Sequence, residues 1–194
     1  MSKNIKVLLI GIMAILMLLV GCSKDGEKTE STDKVYDVYL GCDSPEDTVT
    51  YILLDKFATL MEEKSNGRIR AKRYSNAKLG GDIELIEALQ NGKVTFVVQN
   101  TAPQVNFVPE LGVFDLPMVF PNIEVARKVL DGPLLDRLKE YHAKQNIKLY
   151  GYADQGFREM TSNKKIEKID DLKGVKIRTM SNPNHIEFWK TVGA

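Results

Sequence analysis

From residue 35 onward the chain alternates between two hydrophobic periods, and that alternation predicts its elements. Val35-Tyr36-Asp37-Val38-Tyr39-Leu40 switches sides every residue, as a first strand does. Ser44-Pro45-Glu46-Asp47 makes a turn, and across 48–64 the apolar positions Ile52, Leu53, Phe57, Leu60 and Met61 recur at three- and four-residue spacing, which predicts a helix closed by Asn66-Gly67. A second strand over 69–74 follows. Gly80-Gly81-Asp82 opens a second helix with Ile83, Leu85, Ile86 and Leu89 on one face, Gly92 closes it, and 94–98 reads as a more buried third strand. The order is βαβαβ, the half-unit of a doubly wound α/β sheet with ligand sites at the carboxyl ends of its strands.

Beyond the third strand the period is lost. Phe107, Pro109, Phe114, Leu116, Pro117, Val119, Phe120 and Pro121 predict an ordered loop crossing the core. A helix is expected over 123–145 with Asn122 as N-cap, then a strand over 147–152. A second group follows, with strand-like stretches at 156–162 and 175–180, a short capped turn at 169–174, and a last helix that starts at Asn182-Pro183 and ends at Gly193. Phe188 and Trp189 on that helix are expected to pack against a core.

The start of the chain changes the picture. Lys3 and Lys6 precede an almost unbroken apolar run over 7–20, shorter than the roughly 20 residues of a spanning helix, and Leu19-Val20-Gly21-Cys22 follows. This is the layout of a lipoprotein signal peptide over 1–22, with Cys22 as the lipidated residue; a plain membrane anchor is the alternative. Residues 23–34, SKDGEKTESTDK, read as a polar tether. Cys22 and Cys42 are the two cysteines, so lipidation of Cys22 leaves no disulfide within the chain, and Cys42 is expected as a buried, inert thiol. With 27 basic and 26 acidic side chains the formal net charge is +1, which lacks the basic excess of a nucleic-acid binder.

Candidate chemistry is sparse. Arg158 and Arg178 sit on apolar, strand-like segments where pattern calls for an aliphatic side chain. Burying a guanidinium there requires an anion, and its planar fork matches a carboxylate in bidentate fashion. That anion is either a ligand or an internal Asp or Glu, unless the arginines simply lie on the surface. His142 and His185 have no metal-ligand or nucleophile spacing and are expected as surface or internally satisfied residues. Gly80-Gly81-Asp82 at a helix start offers amides to an anion, although a plain turn is the simpler reading. Lys164-Lys165 reads as a solvated loop pair. Neither a nucleophile elbow nor a phosphate loop, dinucleotide fingerprint or zinc spacing is present, so an enzyme is not expected and no cofactor is called for.

Several of these segments together resemble the solute receptors of TRAP transporters, the dicarboxylate-receptor type. The resemblance rests on Phe57-Ala58 with Gly67-Arg68-Ile69, on Leu79-Gly80-Gly81-Asp82 with Ile86-Glu87-Ala88-Leu89 and Asn91-Gly92, and on Phe107-Val108-Pro109-Glu110 with Val113-Phe114-Asp115-Leu116-Pro117 and Phe120. It continues through Gly156-Phe157-Arg158, Thr161-Ser162-Asn163 and 171–178. It implies a periplasmic-binding-protein-like two-lobe receptor, outside the cytoplasm, that closes on a small organic acid and hands it to a membrane permease. By position it implies Arg178 as the bidentate carboxylate anchor, Arg158 as a second contact, and Asn100 and Asp43 as lining residues; Asp47 falls where the family often has histidine, which leaves its role open. A first lobe is expected over 35–153 and the start of a second over 154–194. The family continues beyond the position of Val192-Gly193-Ala194, so a truncated second lobe is expected. A lipid-anchored receptor serving signalling, or an extracytoplasmic hydrolase, are the alternative functions.

Overall fold

The computed structural model describes residues 34–194, of which Val35–Ala194 form one compact unit. The signal peptide, most of the tether and Cys22 lie outside the described residues. Strand β1 (Tyr36–Gly41) is central in a three-stranded parallel sheet of order β2-β1-β3, with β2 at Ile69–Tyr74 and β3 at Phe96–Val97. Tyr36 faces Ile69 and Gly41 faces Tyr74 along one edge; on the other, Leu40 and Gly41 face Phe96 and Val97. β3 is shorter than the pattern predicts. Thr95 N still donates to Tyr39 O (2.8 Å) and Val98 N to Gly41 O (3.1 Å), so the segment runs alongside β1 beyond its ladder residues.

Helix α1 (Val49–Lys64) joins β1 to β2, and α2 (Asp82–Gln90) joins β2 to β3. Thr48 caps α1 by accepting the amide of Tyr51. Leu54 and Ala58 pack from α1 onto Leu40, Cys42 and Ala71, and all five side chains are buried. A buried leucine at such a position contributes about 1.5–3 kcal/mol. Arg73 of β2 fastens the same helix from outside the core: its Nε donates to Asp55 Oδ1 (2.6 Å) and its Nη2 to Glu62 Oε2 (2.9 Å) and Thr59 Oγ1 (3.1 Å). Glu62 also accepts the Ala71 amide (2.9 Å), and its carboxyl is held below the usual range, first by the hydrogen bond from Arg73.

A second cluster forms where the pattern is aperiodic. Val105, Val108, Leu111 and Leu138 are buried together, with Phe107, Phe114 and Tyr152 against them. They come from the loop that trails a short helix α3 (Thr101–Gln104), from a 3-10 turn at Pro109–Asp115, from a later helix that carries Leu138, and from Tyr152 beyond it. The helix expected over 123–145 is two, α4 (Ile123–Leu130) and α5 (Pro133–Lys144). Pro133 has no amide to continue the ladder, and a Cβ on Gly132 would meet Lys128 O at 2.8 Å, so the chain turns at this pair. Asn122 does cap α4, accepting from Val125 N at 2.9 Å.

Three expected strands are absent. Residues 147–152, 156–162 and 175–180 carry no regular secondary structure, because a strand exists only by pairing and among the described residues none offers them a ladder. The capped turn forms as a 3-10 turn at Ile169–Leu172. Helix α6 (Pro183–Thr191) begins as predicted, with Asn182 accepting the amides of Asn184 (2.8 Å) and His185 (3.1 Å). It buries none of its residues, and Phe188 is 44% exposed, stacking edge-on with Trp189 at 5.0 Å rather than entering a core.

Candidate ligand site at the sheet's carboxyl edge

Parallel order β2-β1-β3 means that the chain moves one way from β1 to β2 and the opposite way from β2 to β3. The loops leaving β1 and β3 therefore diverge, and the crevice between their carboxyl ends is where such sheets take ligands. Asp43 leaves β1 at this edge, half-buried, with Oδ1 accepting from Ser44 Oγ at 2.8 Å. Asn100 follows β3. It takes the N-cap position of α3 without using its side chain to cap, so the carboxamide is not consumed by the helix. The structure thus brings two of the sequence-predicted residues to the same edge.

Asp82 joins them, and sequence reasoning missed it as a site residue. It stands in the first turn of α2, where Gln99 Nε2 donates both to its carbonyl (2.7 Å) and to its Oδ1 (2.8 Å). Burial pushes its carboxyl up; the bond from Gln99 pulls it down, the Asp43 charge raises it and the Arg178 charge lowers it. Asp43 and Arg178 are therefore both within electrostatic reach of one carboxyl. Asp82 and Glu84 in the first turn put negative charge at the Gly80-Gly81 helix start, which opposes an external anion there. The available signal for Asp82 was its place after a glycine pair at a predicted strand-to-helix junction.

Arg178 lies on the exposed stretch that precedes α6, and Arg158 on the exposed stretch after α5. Among the described residues neither forms an ion pair, and Arg158 Nη2 instead donates to Met180 Sδ at 3.3 Å. Arg73 shows what a structural arginine looks like here: it is mostly covered and holds two carboxylates. Internal ion pairing of Arg158 and Arg178 is thus not found among the described residues; both arginines lie on the surface, which leaves the ligand and the plain surface readings.

The stretch bearing Arg178 is tied down at its far end. Ser181 O accepts from Asn106 Nδ2 (2.7 Å), and Asn182, 1% exposed, donates to Ala102 O (2.8 Å) and to Asp115 Oδ2 (2.8 Å). Asp115 Oδ1 lies 2.9 Å from His185 Nε2. His185 is thus satisfied internally, as is His142, which is buried with Nδ1 at 2.8 Å from Leu138 O and Nε2 at 3.1 Å from Gln104 Oε1. Cys42 is buried too, and desolvation raises its thiol, which keeps it protonated and inert as expected.

A carboxyl whose value is raised on folding is stable to acid and costs stability once ionised, and that cost grows as pH climbs through the raised value. Asp82→Asn keeps an acceptor for Gln99 and removes the charge. Melting curves across pH are expected to show the variant at least as stable as the parent near pH 7, with the difference vanishing below the ordinary carboxylate range; a variant destabilised equally at every pH contradicts this.

With this geometry in view, comparison with known proteins is informative. Residues 40–194 match the model of the DctP family, described as bacterial extracellular solute-binding protein, family 7. The C4-dicarboxylate-binding protein DctB of Bacillus subtilis (strain 168) is 37% identical over 150 residues, 77% of this chain and 43% of that protein. Among solved structures, the sugar acid binding protein DctPAm of Advenella mimigardefordensis in complex with galactonate superposes with a TM-score of 0.78 at 34% identity, over 82% of this chain and 52% of that one. A TRAP periplasmic solute binding protein of Sulfurospirillum deleyianum with bound succinate does so with 0.78 at 31%, over 83% and 52%. The chain thus spans about half the length of these relatives. Its sequence, its parallel α/β fold and these likenesses agree: the chain belongs to the DctP family of extracellular solute-binding proteins of TRAP type.

Proposed function

We propose that the protein is an extracytoplasmic receptor that captures a small organic acid by a bidentate bridge from Arg178 to the ligand carboxylate and delivers it to a membrane permease. The observation that carries this reading is an exposed guanidinium without an ion-pair partner among the described residues, within electrostatic reach of Asp82 at the carboxyl edge of a parallel sheet, in a family with solved members that hold galactonate and succinate. Arg158 serves as a second cationic contact, and Asn100 and Asp43 line the first-lobe side. The first lobe takes in 35–153 and the second begins at 154. Binding here needs no reaction: the site has to replace the carboxylate's water with fixed donors, and lobe closure then strengthens the ion pair by excluding solvent.

Asp43 and Asp82 refine the ligand class. A second carboxylate extending toward them would meet like charge, whereas hydroxyl groups would find acceptors. This supports a hydroxylated monocarboxylate over a dicarboxylate. Attachment to the membrane is proposed through a lipid on Cys22, supported by the charge, apolar run and Gly21-Cys22 order of the first 22 residues.

Arg178→Ala is expected to weaken acid binding by on the order of 100-fold or more, with Arg178→Lys weakened by a smaller factor. Because Arg178 is exposed and forms no ion pair among the described residues, the unliganded melting midpoint should barely move. Calorimetric titration with galactonate and succinate reads both, and undiminished affinity in Arg178→Ala removes the assignment. For the anchor, fractionation of cells carrying Cys22→Ser is expected to move the protein from membrane to soluble fraction; retention in the membrane fraction contradicts it.

A further inference from the structure

Asp115 lies in the conspicuous Val113-Phe114-Asp115-Leu116-Pro117 run yet belongs to no part of the site described so far. Its side chain is 7% exposed and, among the described residues, has no lysine or arginine partner. Its two oxygens are nevertheless fully engaged. Oδ2 accepts from Asn182 Nδ2 (2.8 Å) and Asn184 Nδ2 (3.1 Å), and Oδ1 accepts from His185 Nε2 (2.9 Å). A carboxylate suits this place because both of its oxygens accept; an amide keeps one acceptor and would either meet an asparagine donor or force His185 into the tautomer that accepts at Nε2. The 3-10 turn passes close beside this cluster: a Cβ on Gly112 would come within 2.7 Å of the exposed Asn184 Nδ2.

What these bonds hold bears on the ligand. The stretch 175–181 has no strand ladder to place it, so its ends must. At the near end Leu172 is buried and Gly174 N donates to Gly193 O (2.8 Å). At the far end Asn182 follows Arg178 by four residues, and the carbonyl that it grips on the other side belongs to Ala102, two residues after Asn100. Asn182 therefore ties the Arg178 stretch to the Asn100 helix, and Asp115 and His185 fix Asn182 and the helix that it caps.

We infer that Asp115, with His185 and Asn182, is a latch that positions Arg178 against the Asn100 side of the ligand site. The inference rests on the reading of Arg178 as the carboxylate anchor. Asp115 touches no ligand; it sets the place and angle of a guanidinium that does, and a bidentate bridge is sensitive to both.

The test is titration of the full chain with galactonate, and in parallel with succinate, followed by the emission of Trp189, the single tryptophan, which sits on α6 with the latch. Asp115→Asn is expected to weaken binding about tenfold or more, the scale on which outer supporting partners act. His185→Leu should weaken it similarly. His185→Gln, which keeps a donor toward Asp115, should return affinity to near the parent value, a recovery that general loss of packing would not give. Should Asp115→Asn fail to fold, the two His185 variants decide. Parent-like affinity in His185→Leu, or equal loss in His185→Leu and His185→Gln, overturns the latch and leaves the anchor standing. Parent-like affinity in Arg178→Ala, or no saturable response of the parent to either acid, overturns the anchor itself.

Discussion

β1 accepts a parallel neighbour along each of its edges, and the remaining architecture follows from that pairing. A chain that leaves β1, forms β2 on one side and must form β3 on the other has to cross the sheet twice in opposite directions. Its connecting loops then part at the carboxyl ends of β1 and β3. No side chain needs to be spent on opening the crevice, because topology opens it. The residues at this edge are those that follow the two strands, Asp43 after β1 and Gln99 and Asn100 after β3, together with Asp82, which Gln99 draws in from the helix that precedes β3.

Charge at that edge is arranged unequally. On the sheet side stand two carboxyls, one of them pushed up by burial; the cation within electrostatic reach, Arg178, comes from a stretch outside the sheet. Arg73 and Arg178 show the two fates of a guanidinium in this fold. The first is bound to Asp55 and Glu62 and serves to hold α1 on β2. The second forms no ion pair among the described residues, although its charge reaches Asp82. Between them the distinction is supply of acid partners within reach, a property of packing rather than of residue type.

The first βαβαβ unit was legible in the sequence because its hydrophobic periods are local: each strand and helix announces itself within ten or so residues, and its glycine and asparagine stops lie where the chain turns. Asn122 and Asn182 were legible as caps for the same reason. The break between α4 and α5 was written in Asp131-Gly132-Pro133 but masked by apolar spacing that runs through it. The stretches 147–152, 156–162 and 175–180 were misread as strands, since alternation reports which faces are apolar and not whether a partner strand is present. Phe188 and Trp189 were read as core residues on the same assumption of a surrounding that these residues do not contain. Among the site candidates, Arg178 and Arg158 were singled out as charges on apolar, strand-like stretches and Asn100 and Asp43 by resemblance, whereas Asp82 and Asp115 became visible only through contacts, with Gln99 and with Asn182 and His185, that span 17 to 70 residues of sequence.

The central claim is recognition of a carboxylate by a preorganised cation. It is tested most directly by calorimetric titration of the parent chain with galactonate and, under identical conditions, with galactose, which keeps the hydroxyl groups and lacks the carboxylate. The account predicts saturable heat with galactonate, weakening as salt is raised, and none with the neutral sugar. Equal binding of both, or binding of galactose alone, would contradict it.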